Sequence, residues 1–210
     1  MRIDSHHSFS ERYPLDHLGS ILSRNRFEGS ILTGPLIATP DFVRGILTSD
    51  CGDLDACVRH PKFRGVVAGE TVPPLDRLEA RGIPVDIAGR LAEVPGIAAA
   101  HPGLTIVIDH LGAPAGANWA AEIEAAAHYR NVYCKLSGLT MFIPSPRPFV
   151  ARALALFGPD RLMFGSDWPH GLPEFTWKQN LAAFTQAIGA QPIEVREQLL
   201  GGTAARVYGL

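Results

Sequence analysis

Three histidine-bearing segments and one isolated carboxylate carry the chemistry this chain could do. Asp4-Ser5-His6-His7 ends the first apolar run, and Asp109-His110 ends the run Leu104-Thr105-Ile106-Val107-Ile108. Lys135 and Ser137 lie in the run 132–137, and Ser166-Asp167-Trp168-Pro169-His170 follows Leu162-Met163-Phe164-Gly165. Imidazoles and a carboxylate brought to one place supply acid–base groups and ligands for a divalent ion. Plainer readings stand beside these. His6 and His7 suit partly exposed loop positions, Asp4 and Asp109 suit turn caps, and His110 suits a satisfied core histidine. Lys135 in an apolar strand needs a partner or a wet cavity, so an ion pair and a catalytic role are both open. Asp167 is the hardest to explain structurally, because a carboxylate between an apolar run and Trp168 is costly to bury without a use. His17, His60, His101 and His128 fall in helices or turns and read as surface residues.

The elements that must position these groups alternate along the chain. Strand-like runs fall at 2–6, 29–34, 42–48, 64–68, 83–88, 104–110, 132–137 and 161–167. They are short and apolar without clean alternation, as in strands buried on both faces. Helical spacing joins Leu15, Leu18 and Leu22 behind Pro14. It joins Leu54, Cys57 and Val58 before Pro61, and Leu75 and Leu78 between Pro74 and Gly82. It returns at Trp119, Ile123 and Ala126 behind Asn118 as a cap, from Phe149 to Phe157, from Trp177 to Ile188, and from Ile193 with a break at Gly201-Gly202. Eight strands alternating with helices predict a compact (β/α)8 TIM barrel in a single domain over 1–210, near the lower size limit of about 200 residues. The stretch between strands 2 and 3 is too short for a crossover of about a dozen residues, so either a helix is missing there or one of those two runs is not a strand. The strand face a missing helix exposes needs cover, from a second chain in a homodimer or from a rearranged segment.

Composition narrows the function classes. The 210 residues are 46% hydrophobic and 19% charged, which excludes a disordered chain. Lys+Arg 19 against Asp+Glu 21 gives net −2, with no basic footprint for nucleic acid or anionic lipid. No apolar run approaches a membrane span, and the start MRIDSHHSFSERYP lacks a signal-peptide core. Three cysteines without CxxC spacing suit a reduced, cytoplasmic setting; Cys51 and Cys57 could reach one another, but buried free thiols are the first expectation.

Several motifs carry a family resemblance. They are Ile3-Asp4-Ser5-His6, the stretch 60–66, Val107-Ile108-Asp109-His110-Leu111-Gly112, the stretch 131–138 ending Lys135-Leu136-Ser137-Gly138, the run 157–169 through Asp167, and the C-terminal 202–210. On these the chain resembles the amidohydrolase-related TIM-barrel hydrolases, in particular the sugar-lactone and 2-pyrone-4,6-dicarboxylate lactonases. The likeness runs end to end and is strongest after about residue 104. It implies a hydrolase that opens a cyclic ester of a small-molecule substrate. Asp167 would be the general base on water, and His110 a ligand or carbonyl-polarising group. His6 would be the first histidine of a strand-1 HxH pair. His170 matches a histidine just after the strand-8 aspartate, and Trp168 would wall the mouth, with His7 and Ser137 as further substrate-contacting positions. His170 or Lys135 would hold the substrate or its leaving oxygen.

Departures from the family pattern qualify the metal. The second histidine of the pair falls on Ser8, and His7 cannot replace it without a bulge, because adjacent strand residues face opposite ways. Strand 5 offers Asp86 and no histidine, strand 4 ends at Glu70, and the chain is short before about residue 90. A two-metal site is therefore not expected. One divalent ion, zinc first, would rest on His6, His110 and Asp167, with Glu70 as a distant fourth ligand. The lactonase branch also includes metal-independent members, so activity without an ion stays open. Two other readings stand: a related non-oxidative decarboxylase, which Ser8 disfavours, and a non-catalytic barrel that binds a ligand or partner.

Overall fold

A computed structural model describes residues 1–68, 74–114, 116–140 and 145–210. Eight strands run through them: β1 (Ile3–Ser8), β2 (Gly29–Thr33), β3 (Val43–Thr48), β4 (Phe63–Ala68), β5 (Val85–Ile87), β6 (Ile106–Ile108), β7 (Val132–Leu136) and β8 (Leu162–Phe164). They lie side by side in chain order, and each pairs in parallel with the next. Just beyond β8 the chain returns to β1. The Asp167 amide donates to the His6 carbonyl at 2.9 Å, and the Ser8 amide donates to the Trp168 carbonyl at 2.7 Å. The sheet is thus a nearly closed (β/α)8 barrel.

Period-two alternation sorts the strand side chains onto two faces. Val66, Val85, Ile87, Ile106, Ile108, Cys134, Leu136, Leu162 and Phe164 pack outward against the helices. Ile3, Ile31, Leu47, Val107 and Met163, with Val67 and Tyr133, form a separate inner cluster with Ala204 and Tyr208. On the same inner register lie Asp86, Asp109 and Lys135, so the barrel interior turns from apolar to charged along its axis.

The helices are α1 (Leu15–Arg24), α2 (Leu54–Val58), α3 (Leu75–Ala80), α4 (Val94–Ala100), α5 (Trp119–Ala127), α6 (Arg147–Phe157), α7 (Trp177–Ile188), α8 (Ile193–Glu197) and α9 (Thr203–Tyr208). A π turn at Gln198–Gly202 sits at the expected Gly-Gly break. Helix α4 is the one the sequence hides, because Pro95 and Gly96 interrupt its apolar stripe. Asn118 occupies the N-cap of α5 but its side chain makes no capping bond. Thr176 and Gln179 instead build a full capping box on α7. No helix joins β2 to β3, as predicted. Leu36 and Phe42 from the connecting segment, with Leu15 of α1, pack on Leu32, Val43 and Ile46. The cover is a rearranged segment of the same chain.

The expectation of free thiols at Cys51 and Cys57 is corrected. The two form a disulfide across the turn into α2, with Cα atoms 6.2 Å apart, inside bridging reach. The Asp53 side chain caps that turn by accepting from the Asp55 amide. Cys134 is free and buried. Among the described residues no helix is long and apolar enough to cross a membrane.

Candidate active site

His6 enters the site through a bulge. The β1–β2 register passes from Asp4↔Ser30 to His7↔Leu32, so β1 carries one extra residue. His6 then faces Asp109, Lys135 and Asp167, while His7 turns to β2, its Nε2 3.0 Å from Ser30 Oγ. His7 is fully buried, its Nδ1 has no hydrogen-bond partner among the described residues, and burial pushes its pKa down to about 3. Asp4 is no turn cap. Its Oδ1 accepts from the Ser166 amide at 2.8 Å and its Oδ2 from Trp177 Nε1 at 2.7 Å, tying β1 to the end of β8 and to α7. Burial pushes the Asp4 carboxyl up to about 6 against those donors.

Left-handed backbone presents the other two groups. His110 follows β6 with φ 50°, Leu111 has φ 56°, and Asp167 follows β8 with φ 58°. Side-chain-bearing residues pay about 1 kcal/mol or more to sit there. Such outliers gather where geometry serves a function. The Leu111 carbonyl is pinned by Trp119 Nε1 at 2.6 Å. Gly165 lets β8 approach β1: a Cβ there would stand 2.8 Å from His6 Cβ and 3.0 Å from Ser137 Cβ.

The three groups meet at the strand ends, where barrels of this kind work. His6 Nε2 lies 3.6 Å from Asp167 Oδ1, and His110 Nδ1 lies 3.9 Å from Asp167 Oδ2. The His6 and His110 rings are edge to face, with centroids 4.6 Å apart. Burial lowers the pKa of both imidazoles, that of His110 to about 4, so both are neutral at neutral pH. Burial raises the Asp167 carboxyl above its usual value.

Behind the triad lies a charged cluster. Lys135 is fully buried. Its ammonium donates to Asp86 Oδ2, stands 3.1 Å from Asp109 Oδ1 and 3.3 Å from His6 Nδ1. Asp109 is held by charge, since among the described residues none gives either of its oxygens an aligned hydrogen bond. Burial pushes its carboxyl up, but the Lys135 ammonium beside it outweighs that and holds it low. The Tyr208 hydroxyl, rising from α9, donates to Asp86 at 2.9 Å.

The remaining expected residues fall as follows. Ser137 Oγ sits 2.9 Å from His110 Nδ1. Trp168 is buried beside His7 and Tyr13. His170 is exposed, its amide 3.0 Å from the Asp167 carbonyl. His101, expected at the surface, is partly buried against Glu79 at 3.0 Å. Glu70 lies outside the described residues. Asp109 stands in the sequence beside His110 at a polar strand end, with a turn cap as its plainer role, whereas nothing there gave Asp86 or Tyr208 a part in the site. The available signal was that Asp86, Asp109 and Lys135 share the inward register of β5, β6 and β7.

His6, His110 and Asp167 each offer a ligand atom within 4.8 Å of the others. Two imidazoles and a carboxylate are the three-ligand set of catalytic zinc sites, so the residues fit one divalent ion. A cavity of about 710 Å³ lies against α7, lined by Leu139, Thr140, Arg147, Phe175, Ala183 and Ala187 among others, and His6, His110 and Asp167 do not line it.

The amidohydrolase family profile matches residues 53–210, three quarters of the sequence. The chain belongs to the amidohydrolase family. This amidohydrolase is 34% identical over 144 residues to an L-fucono-1,5-lactonase of Burkholderia multivorans, a match covering 58% of this chain and 48% of that protein. It spans about half the length of the curated relatives it matches. Two crystal structures of an amidohydrolase from Burkholderia multivorans, one with bound HEPES and one with bound zinc, superpose with TM-scores of 0.84 and 0.82 at 25% identity. They cover all of this chain and 99% of theirs. A putative 2-pyrone-4,6-dicarboxylic acid hydrolase from Pseudomonas putida superposes with TM-score 0.76 at 26% identity, over 99% of this chain and 97% of that one.

Proposed function

We propose that this amidohydrolase opens a cyclic ester of a sugar or pyrone acid by attack of water, with Asp167 as general base. The observation that carries the reading is the placement of Asp167: a carboxylate at the end of β8, on left-handed backbone, facing His6 Nε2 and His110 Nδ1. Lactonase names among the relatives agree with it.

Ester hydrolysis needs water deprotonated, the carbonyl oxygen stabilised as charge grows, and the ring alcohol protonated as it leaves. Asp167 takes the water proton, and its raised pKa makes it a stronger base than an exposed aspartate. The neutral rings of His6 and His110 face the space where the carbonyl oxygen would sit. The proton held on Asp167 then passes to the ring oxygen as the C–O bond breaks. His170, at the exposed rim, is placed to hold the substrate. Lys135, buried beneath His6, is a supporting group and not a contact to the leaving oxygen. His6, His110 and Asp167 would hold a divalent ion, zinc first, which would supply Lewis-acid polarisation of the carbonyl.

Product analysis tests the class of reaction. Incubation with sugar and pyrone lactones in ¹⁸O-water is expected to release one proton and put one label in the product carboxylate. Carbon dioxide release from an aromatic or unsaturated acid instead would make the protein a decarboxylase.

A further inference from the structure

The buried ammonium of Lys135 has three hydrogens to place and three groups around it. Asp86 Oδ2 accepts one, Asp109 Oδ1 stands at 3.1 Å, and His6 Nδ1 is hydrogen-bonded at 3.3 Å. An ammonium has no lone pair, so in the third contact His6 Nδ1 must be the acceptor. The alternative donation, from Nδ1–H to Asp109 Oδ1, spans 3.5 Å, and that oxygen receives no aligned hydrogen bond from the described residues. A neutral imidazole that accepts at Nδ1 carries its hydrogen on Nε2. Nε2 is the atom 3.6 Å from Asp167 Oδ1.

We propose that Lys135 is a positioning residue which fixes His6 as its Nε2–H tautomer, so that His6 presents a hydrogen-bond donor to the reaction space. Asp86 and Tyr208 hold the ammonium in register from below. The Tyr208 hydroxyl donates to both Asp86 oxygens at 2.9 and 3.0 Å, and its ring lies 5.6 Å from Lys135 Nζ. On the lactonase reading, to which this role in turnover belongs, the Nε2–H is aimed at the developing carbonyl oxygen. The placement has a second consequence. A cation can take His6 Nε2 only when that hydrogen leaves, so Lys135 biases the site against metal. Metal-binding histidines elsewhere usually donate their distal N–H to a carboxylate or carbonyl. Here an ammonium takes that place and reverses the direction of the bond.

The test is the long-range ¹H–¹⁵N spectrum of the histidine side chains in the metal-free wild-type protein at pH 7.5, with His6 assigned by loss of its signals in His6→Asn. The expected pattern is a bare Nδ1 and a protonated Nε2. A protonated Nδ1, alone or in an imidazolium, overturns the proposal. A paired variant, Lys135→Met with Asp86→Asn, removes the donor without stranding both carboxylates. It is expected to move the hydrogen to Nδ1 facing Asp109 and to tighten zinc binding about tenfold in a competition titration. An unchanged tautomer or unchanged zinc affinity in the folded variant also overturns it. Should the variant fail to fold, the wild-type spectrum still decides. Neither readout depends on turnover, so a failed lactonase assay and a failed tautomer assignment are distinguishable.

Discussion

The Asp167 amide donates to the His6 carbonyl at 2.9 Å, so the bond that brings the end of β8 back to β1 joins two residues of the candidate triad. Closure and site assembly are one event. The same pair meets again through side chains, His6 Nε2 at 3.6 Å from Asp167 Oδ1. A change that separates β1 from β8 should therefore remove the chemistry along with the closure.

Gly165→Ala tests this locally. The added Cβ would press on the His6 and Ser137 Cβ atoms at 2.8 and 3.0 Å. The expected outcome is a stability loss of about 1–3 kcal/mol by urea unfolding, with kcat reduced more than KM, because His6 moves relative to Asp167. Gly201→Ala, whose Cβ would press on the Met1 carbonyl and meet Ile3 N at 2.6 Å, is expected to cost about 3 kcal/mol by pushing the π turn away from the start of β1.

Asp4 supplies a stability prediction with a defined sign. Its folded pKa is about 6, above an unfolded value near 4. Between those values the folded state binds more protons than the unfolded state, so this group's contribution falls as pH rises from about 4 to about 6. Asp4→Ala is expected to cost about 2 kcal/mol or more, because the Ser166 amide and Trp177 Nε1 lose their acceptor in a dry site. Denaturation midpoints of both proteins at pH 5 and 7 check the pair of statements.

Lys135→Met alone should be the most damaging of the conservative-volume changes. It leaves Asp86 and Asp109 buried without their counter-ion, for which a loss of about 3–5 kcal/mol is expected. Adding Asp86→Asn should return part of that loss, a coupling that a double-mutant cycle in urea measures.

The pH–rate profile should show an acid limb. Asp167 acts as a base only when ionised, and burial raises its pKa, so kcat/KM is expected to rise with pH through a midpoint above the usual carboxylate value near 4. His110, at about 4, is already neutral above that limb and should add no further step through neutral pH. A profile of a neutral lactone between pH 4 and 8 checks this.

Much of this was readable from residues. Short apolar runs without alternation marked eight doubly covered strands, and the short 34–42 connection marked the missing helix. The polar strand ends singled out His6, His110 and Asp167, which the fold brings within 4.8 Å. What stayed hidden depends on geometry that composition does not record. The bulge in β1 decides that His6 faces inward and His7 turns to Ser30. Helix α4 is masked by Pro95 and Gly96, and the Cys51–Cys57 bond by the turn between them. Lys135 looked equally suited to ion pairing and to catalysis, because its partners Asp86 and Asp109 come from other strands and meet it only across the barrel interior.

The most direct measurement of the central claim is kcat/KM of Asp167→Asn beside wild type on a six-membered sugar lactone at pH 7.5. Wild type is expected to be active and the variant weaker by about a thousandfold, with an unfolding free energy unchanged to within about 1 kcal/mol. An active wild type with a variant within tenfold of it would contradict the assignment of Asp167 as the base.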